Sequence, residues 1–344
     1  MNKIPAQKPD NRVPGLTTMM TAMALMAACQ PEAAKPTQVP KALFIIVDGI
    51  PADVIESTPT PYLDSISAAG GYTRAWLGGE AGGETESPTV SAVGYMNLIT
   101  GTWSNKHNVY DNAVDAPNYD YWDIFRIAKT HNAALQTAIF STWTDNRTKL
   151  VGDSLPEAGG PKIDVAFDGF ELDTERFPHD PDGNYIKEID ALVVEEAARY
   201  VSEHGPDLSW VYLEYTDHVA HYFGDSPEMT AAVRIMDEGV GRIWQAIRDR
   251  AQIGGEDWLL IVTTDHGRDA ETGMDHGGQS ERERTIWIAT NSDRLNERFH
   301  SMPAIVDILP SITTHLALGI PPDVADALAI AMCHIHFSTS GLPV

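Results

Sequence analysis

Three apolar, β-rich runs dominate the sequence, and each is followed within a few residues by an aspartate. Lys41–Val47 precedes Asp48, Leu208–Tyr215 precedes Asp217, and Trp258–Thr263 precedes Asp265. Runs this continuously hydrophobic predict strands buried on both faces, as in a parallel sheet covered by helices. Helical spacing supplies the covers at Pro61–Ala69, Ser91–Thr100, Tyr119–Thr130, Ile186–Glu203, Pro227–Ala251 and Ala304–Leu318, the last broken by Pro310. Further strands are predicted at Ala134–Phe140 and Thr285–Thr290. This alternation predicts an α/β fold: a doubly wound, mostly parallel central sheet with helices on both faces. Gly78–Gly83 reads as a flexible loop. Residues 152–184, rich in Gly, Pro and Asp, read as a loop-rich insertion and a candidate cap.

A net charge of -25 over 344 residues excludes a basic surface for nucleic-acid duplexes. Lys3, Lys8 and Arg12 precede the uncharged apolar run Val13–Ala28, and Cys29 follows. That run falls short of the ~20 residues of a membrane span and fits an export signal. Leu25, Met26, Ala27 and Ala28 before Cys29 point to a lipoprotein-type signal over 1–28, a lipid anchor at Cys29 and a linker at 29–40. The expected location is the bacterial envelope, facing the periplasm or cell exterior, with plain secretion as the alternative. Cys29 and Cys333 are the only cysteines, so acylation of Cys29 leaves no internal disulfide. Cys333-His334-Ile335-His336 reads as part of an apolar C-terminal segment, not as a metal site.

Metal-capable side chains cluster after the strands. They are Asp48, Asp217, His221, Asp265, His266 and His276, with Ser91 as an added hydroxyl. In open α/β sheets, sites gather at the carboxyl ends of strands. Asp217 and His221 stand four apart, which puts both on one helix face. Carboxylates with imidazoles suit two divalent ions, zinc first and manganese second. Two such ions about 4 Å apart can clamp the attacking and leaving oxygens of a phosphoryl transfer. His107, His131, His179, His204, His300 and His315 lack such contexts, and His218 merely flanks a candidate ligand.

Together these motifs resemble the alkaline phosphatase superfamily, most closely its nucleotide pyrophosphatase/phosphodiesterase branch, over roughly residues 41–130 and 208–320. The resemblance implies an alkaline phosphatase-like catalytic domain over 41–344. It places a nucleophile at a helix start nine residues before a Thr-Gly pair. Counting back from Thr100-Gly101 gives Ser91, with Thr89 as the rival. The branch's Asp-Asn pair falls on Asp111-Asn112, making Asn112 the contact to a phosphoryl oxygen. One metal is then held by Asp217, His221 and His276, the other by Asp48, Asp265 and His266 with Ser91. The implied substrate is a small phosphate ester or nucleotide, cleaved through a phosphoserine.

Two departures stand out. The branch uses Thr followed by Phe-Pro-Asn, whereas here Ser91 is followed by Ala92-Val93-Gly94, which also lacks the sulfatase pattern. The branch's last histidine lies far downstream of its Asp-His pair, whereas His276 follows His266 by ten residues. Diester or nucleotide pyrophosphate cleavage is favoured. Monoester cleavage, with Arg147 and Lys149 as candidate cations, is the alternative. Phosphoryl transfer and a non-catalytic, lipid-anchored binding protein are further ones.

Overall fold

The computed structural model describes Met1 and residues 38–319. The expected signal, Cys29 and the Cys333-His336 segment lie outside the described residues. Seven strands form one sheet: β1 (Val39–Val47), β2 (Gly71–Trp76), β3 (Thr137–Ser141), β4 (Val165–Phe167), β5 (Leu208–Leu213), β6 (Glu256–Thr263) and β7 (Thr285–Thr290). Their spatial order is β2-β7-β6-β1-β5-β3-β4. β6, β1, β5, β3 and β4 run parallel, while β7 and β2 close one edge antiparallel. This is the mostly parallel α/β fold expected.

Alternating side chains feed two cores. On β1, Ala42, Phe44 and Ile46 join Ala92, Tyr95, Phe125 and Ile308 on one face. Leu43, Ile45 and Val47 join Leu63, Val193 and Val240 on the other. Both faces are therefore covered by helices: Ser91–Thr100, Ile124–His131 and Ile308–His315 on the first, Pro61–Ala69, Asn184–His204 and Pro227–Gly254 on the second. Burial on both faces is why the strand sequences lack polar alternation.

Several boundaries differ from expectation. Val39 and Pro40, assigned to a linker, belong to β1. The helix expected from Tyr119 starts at Ile124, because the Asp123 carboxylate accepts the Phe125 and Arg126 N–H groups and so caps it there. The strand before Asp217 ends at Leu213, and Asp217 sits instead in the first turn of the helix Tyr215–Phe223. Pro310 breaks nothing: it lies in the first turn of Ile308–His315, where no helical N–H is needed. The insertion 152–184 is only partly irregular, since Val165–Phe167 extends the sheet beside β3.

Candidate metal centre

β1 is the central strand, with β6 on one side and β5 on the other. Ile46 pairs with Thr263 and Val47 with Leu213, so the three strands end at one level. Asp48, Asp265-His266 and Asp217 follow those ends. All three sequence motifs therefore meet at one rim of the sheet.

His266 is the hub. Its Nδ1 donates to the Gly267 carbonyl at 2.9 Å, which leaves Nε2 to face the site. Around that Nε2 stand Asp48 Oδ1 at 3.3 Å, Asp265 Oδ2 at 3.4 Å and Ser91 Oγ at 3.3 Å. Asp48 Oδ1 and Asp265 Oδ2 are buried and accept no hydrogen bond. The other oxygens are committed: Asp48 Oδ2 accepts from the Tyr95 and Tyr212 hydroxyls, and Asp265 Oδ1 from Gly49 N–H at 3.1 Å. Two orphaned carboxylate oxygens converging on an imidazole nitrogen is the donor set of a divalent cation.

A second triad lies beside the first. His221 Nε2 is 3.3 Å from Asp217 Oδ2 and 3.1 Å from His276 Nε2. His276 Nδ1 donates to the Thr89 carbonyl at 2.8 Å, so it too turns Nε2 to the site. Asp217 also groups with Asp48 and His266, so its carboxylate stands between the two triads. The grouping expected from the sequence is thus brought together, with Asp217 within reach of both halves.

Electrostatics agree with a place for cations. Burial works against a charged His266, but the Asp265, Asp48 and Asp217 carboxylates more than offset it and raise its pKa to about 9. Burial, reinforced by Asp48, pushes the Asp265 carboxyl well up. Burial and the neighbouring His266 bring His276 down to about 4. Burial opposes ionisation of Asp217, yet the Arg268 guanidinium, with His221 and His266, holds it below the usual carboxylate range. A carboxylate field that favours added positive charge is what bound metal ions satisfy.

Ser91 is the first residue of the helix Ser91–Thr100. That helix approaches the rim because residue 94 is glycine: a Cβ there would sit 2.6 Å from the Asp265 carbonyl. Asn112 Oδ1 accepts from the Ala92 N–H at 3.0 Å, and Asn112, Ser91, Asp48 and Asp217 line one pocket. Thr89, the rival nucleophile, is fully buried; its hydroxyl donates to the Gly278 carbonyl and accepts from the Gly277 N–H, both at 2.9 Å. It anchors the His276 loop, and Ser91 is left as the hydroxyl at the ligand atoms.

The candidate monoester cations are otherwise engaged. Arg147 grips Asp168 through two bonds of 2.6 and 2.9 Å. Lys149 pairs with Asp145 at 2.9 Å and donates to the Ala113 carbonyl. No residue of 152–184 lines the Ser91 pocket. His218 leans on the Tyr222 ring and belongs to neither candidate metal group. Sequence reasoning missed Tyr95, Tyr212 and Arg268, which bond to the candidate ligands Asp48 and Asp217 from positions that carry no motif signal of their own.

Comparison with known proteins follows the same line. The family described as type I phosphodiesterase / nucleotide pyrophosphatase matches residues 42–311. Among solved structures, human ectonucleotide pyrophosphatase / phosphodiesterase 5 is similar with a TM-score of 0.56 at 13% identity, covering 82% of this chain and 96% of that one. Its murine counterpart, solved in complex with AMP, gives 0.56 at 15%, covering 82% and 96%. The phosphonate monoester hydrolase of Agrobacterium radiobacter gives 0.55 at 16%, covering 81% and 74%. At such identities these are likenesses of fold. GPI ethanolamine phosphate transferase 3 of Eremothecium gossypii is 33% identical over 121 residues, which are 30% of this chain but 11% of that protein.

Proposed function

The chain belongs to the type I phosphodiesterase / nucleotide pyrophosphatase family, and on that premise we propose that it is a two-metal phosphoester hydrolase acting on phosphodiesters or nucleotide pyrophosphates. The observation that carries this reading is the convergence of Asp48 Oδ1, Asp265 Oδ2 and Ser91 Oγ on His266 Nε2, all within 3.4 Å. Asp48, Asp265 and His266, with Ser91, would hold one ion; Asp217, His221 and His276 would hold the other. Zinc fits this donor set, and manganese is the alternative. Such ions, when bound, lower the pKa of a hydroxyl and neutralise charge on phosphoryl oxygens.

The protein's own residues do the rest. Ser91 Oγ attacks phosphorus in line, the P–O bond to the leaving alcohol or phosphate breaks, and the Ser91 proton passes through solvent to the leaving oxygen. Water then attacks the phosphoserine, the Ser91–phosphorus bond breaks, and a proton from that water restores the Ser91 hydroxyl. The N–H groups at the start of Ser91–Thr100 lie where negative charge develops. Asn112, fixed by its Oδ1 on Ala92, keeps its amide N–H groups for a phosphoryl oxygen.

A second substrate reading rests on Glu214. It lines the Ser91 pocket with Trp143, and its carboxylate accepts no hydrogen bond from any described residue. Burial, with Asp190 and Asp48, pushes its pKa well up. An ammonium-bearing phosphodiester would meet Glu214 and the Trp143 face. The ethanolamine phosphate in the name of the Eremothecium relative likewise carries an ammonium on a phosphate ester.

The test is hydrolysis of p-nitrophenyl phosphate, bis-p-nitrophenyl phosphate and p-nitrophenyl phosphocholine by zinc-loaded protein, with Ser91→Ala in parallel. Faster diester cleavage, lost in the variant, supports the proposal; faster monoester cleavage makes the protein a phosphatase. No turnover of any of the three, with two metals bound, favours the binding-protein alternative. We also propose export with acylation of Cys29; incorporation of labelled fatty acid that persists in Cys29→Ala would overturn it.

A further inference from the structure

Arg268 follows Asp265-His266-Gly267 directly, and its side chain is fully buried. A buried guanidinium is costly unless its donors are matched. Here each nitrogen has an acceptor. Nε donates to the Gly49 carbonyl at 3.2 Å and Nη1 to the Met274 carbonyl at 2.7 Å. Nη2 donates to the Asp217 carbonyl at 3.1 Å and, more closely, to Asp217 Oδ1. Gly49 adjoins Asp48, and Met274 lies two residues before His276. One side chain therefore joins three separate segments that carry the candidate ligands Asp48, Asp217 and His276.

The choice of oxygen on Asp217 matters. Oδ1 lies 3.9 Å from both His266 Nε2 and His276 Nε2, whereas Oδ2 is the oxygen 3.3 Å from His221. Arg268 takes Oδ1 and leaves Oδ2. Residue 49 gives way to this fork: it is a glycine at φ 67°, and a Cβ there would stand 2.7 Å from Arg268 Nη2 and 2.6 Å from Asp217 Oδ1. Lysine, a single point charge, cannot span four acceptor atoms on three residues set around a planar fork.

We infer that Arg268 is a positioning residue of the metal centre: it commits Asp217 through Oδ2 to the His221/His276 ion and holds the His276 loop against it. The inference rests on the two-metal reading above. Without Arg268, the Met274 carbonyl loses its tether, Asp217 is free to turn toward His266, and the Asp217/His221/His276 ion is bound more weakly. The Asp48/Asp265/His266 ion keeps all its donors.

The experiment titrates zinc into metal-stripped full-length protein against a chromophoric chelator, for wild type, Arg268→Gln and Arg268→Lys. Wild type binds two ions. In Arg268→Gln the expected result is one site weakened at least tenfold and the other within twofold, with lost hydrolysis recovered as zinc is raised. His276→Ala identifies the weakened site, since adding Arg268→Gln to it changes zinc binding little further. If Arg268→Gln does not fold, Arg268→Lys decides, with the same single site weakened. Two unaltered sites in a folded variant, or equal weakening of both, overturns the inference while leaving the two-metal reading intact. Fewer than two ions in wild type overturns that reading itself.

Discussion

His266 stacks on His276, with ring centroids 3.8 Å apart and planes 12° from parallel. Each ring's Nδ1 is tied to a backbone carbonyl, of Gly267 and Thr89 respectively; His266 Nε2 faces Asp48 and Asp265, and both Nε2 atoms stand 3.9 Å from Asp217 Oδ1. On the two-metal proposal, sites held face to face this way are separable by mutation.

Asp265→Ala removes a donor from the His266 site alone. The expected result is loss of one of two bound ions and of most hydrolysis. Elemental analysis of the purified variant checks it, and two retained ions contradict the assignment.

Metal removal should destabilise the fold. Asp48 Oδ1 and Asp265 Oδ2 are buried beside one another's field without hydrogen bonds, and an ion bound at ~1,000 times its Kd adds about 4 kcal/mol. Stripping with EDTA is expected to lower the melting midpoint by at least about 5 °C. Thermal unfolding with and without chelator reads this directly.

His107 sets part of the acid limit. It is fully buried; its Nδ1 accepts the Val109 N–H at 3.1 Å, so the ring is neutral and donates from Nε2 to Asn97 Oδ1 at 2.9 Å. Burial lowers its pKa from 6.5 to about 3. As pH falls below 6.5, the unfolded chain takes up a proton that the folded one refuses. Stability from this residue is thus lost progressively between pH 6.5 and about 3, at up to about 1.4 kcal/mol per pH unit. His107→Gln should flatten that limb in urea unfolding measured at pH 4 to 7.

Lys162 anchors the insertion. Its ammonium is buried and donates to Asp123 Oδ2 at 2.9 Å, the Ala158 carbonyl at 2.8 Å and the Val151 carbonyl. Lys162→Met leaves a buried carboxylate without its cation and is expected to cost about 3–5 kcal/mol. Adding Asp123→Asn should recover part of that loss, which a double-mutant cycle in denaturant measures.

The sequence was legible where one signal dominated. Pro61–Ala69 and Ser91–Thr100 run as read, because Gly70-Gly71 and Gly101 stop them, the latter at φ 64°. The candidate ligands could be picked out because each follows a strand or a short motif. β2 was missed: Gly71–Trp76 is a half-exposed antiparallel edge strand containing Arg74, with no continuous apolar run. Arg268 was missed for a different reason. Its three acceptor residues are separated by up to 225 positions, from Gly49 to Met274, and nothing local marks them.

The short loop between His266 and His276 bears on how the centre assembles. Asp269 ties it internally, accepting from the Glu271, Thr272 and Asp275 N–H groups. Closing a ten-residue loop in place of one tenfold longer spares about 2 kcal/mol of chain entropy. Two of the imidazoles can therefore find each other during local collapse. The long-range search is left to β1 and β5, which bring the aspartates to a half-built receptor.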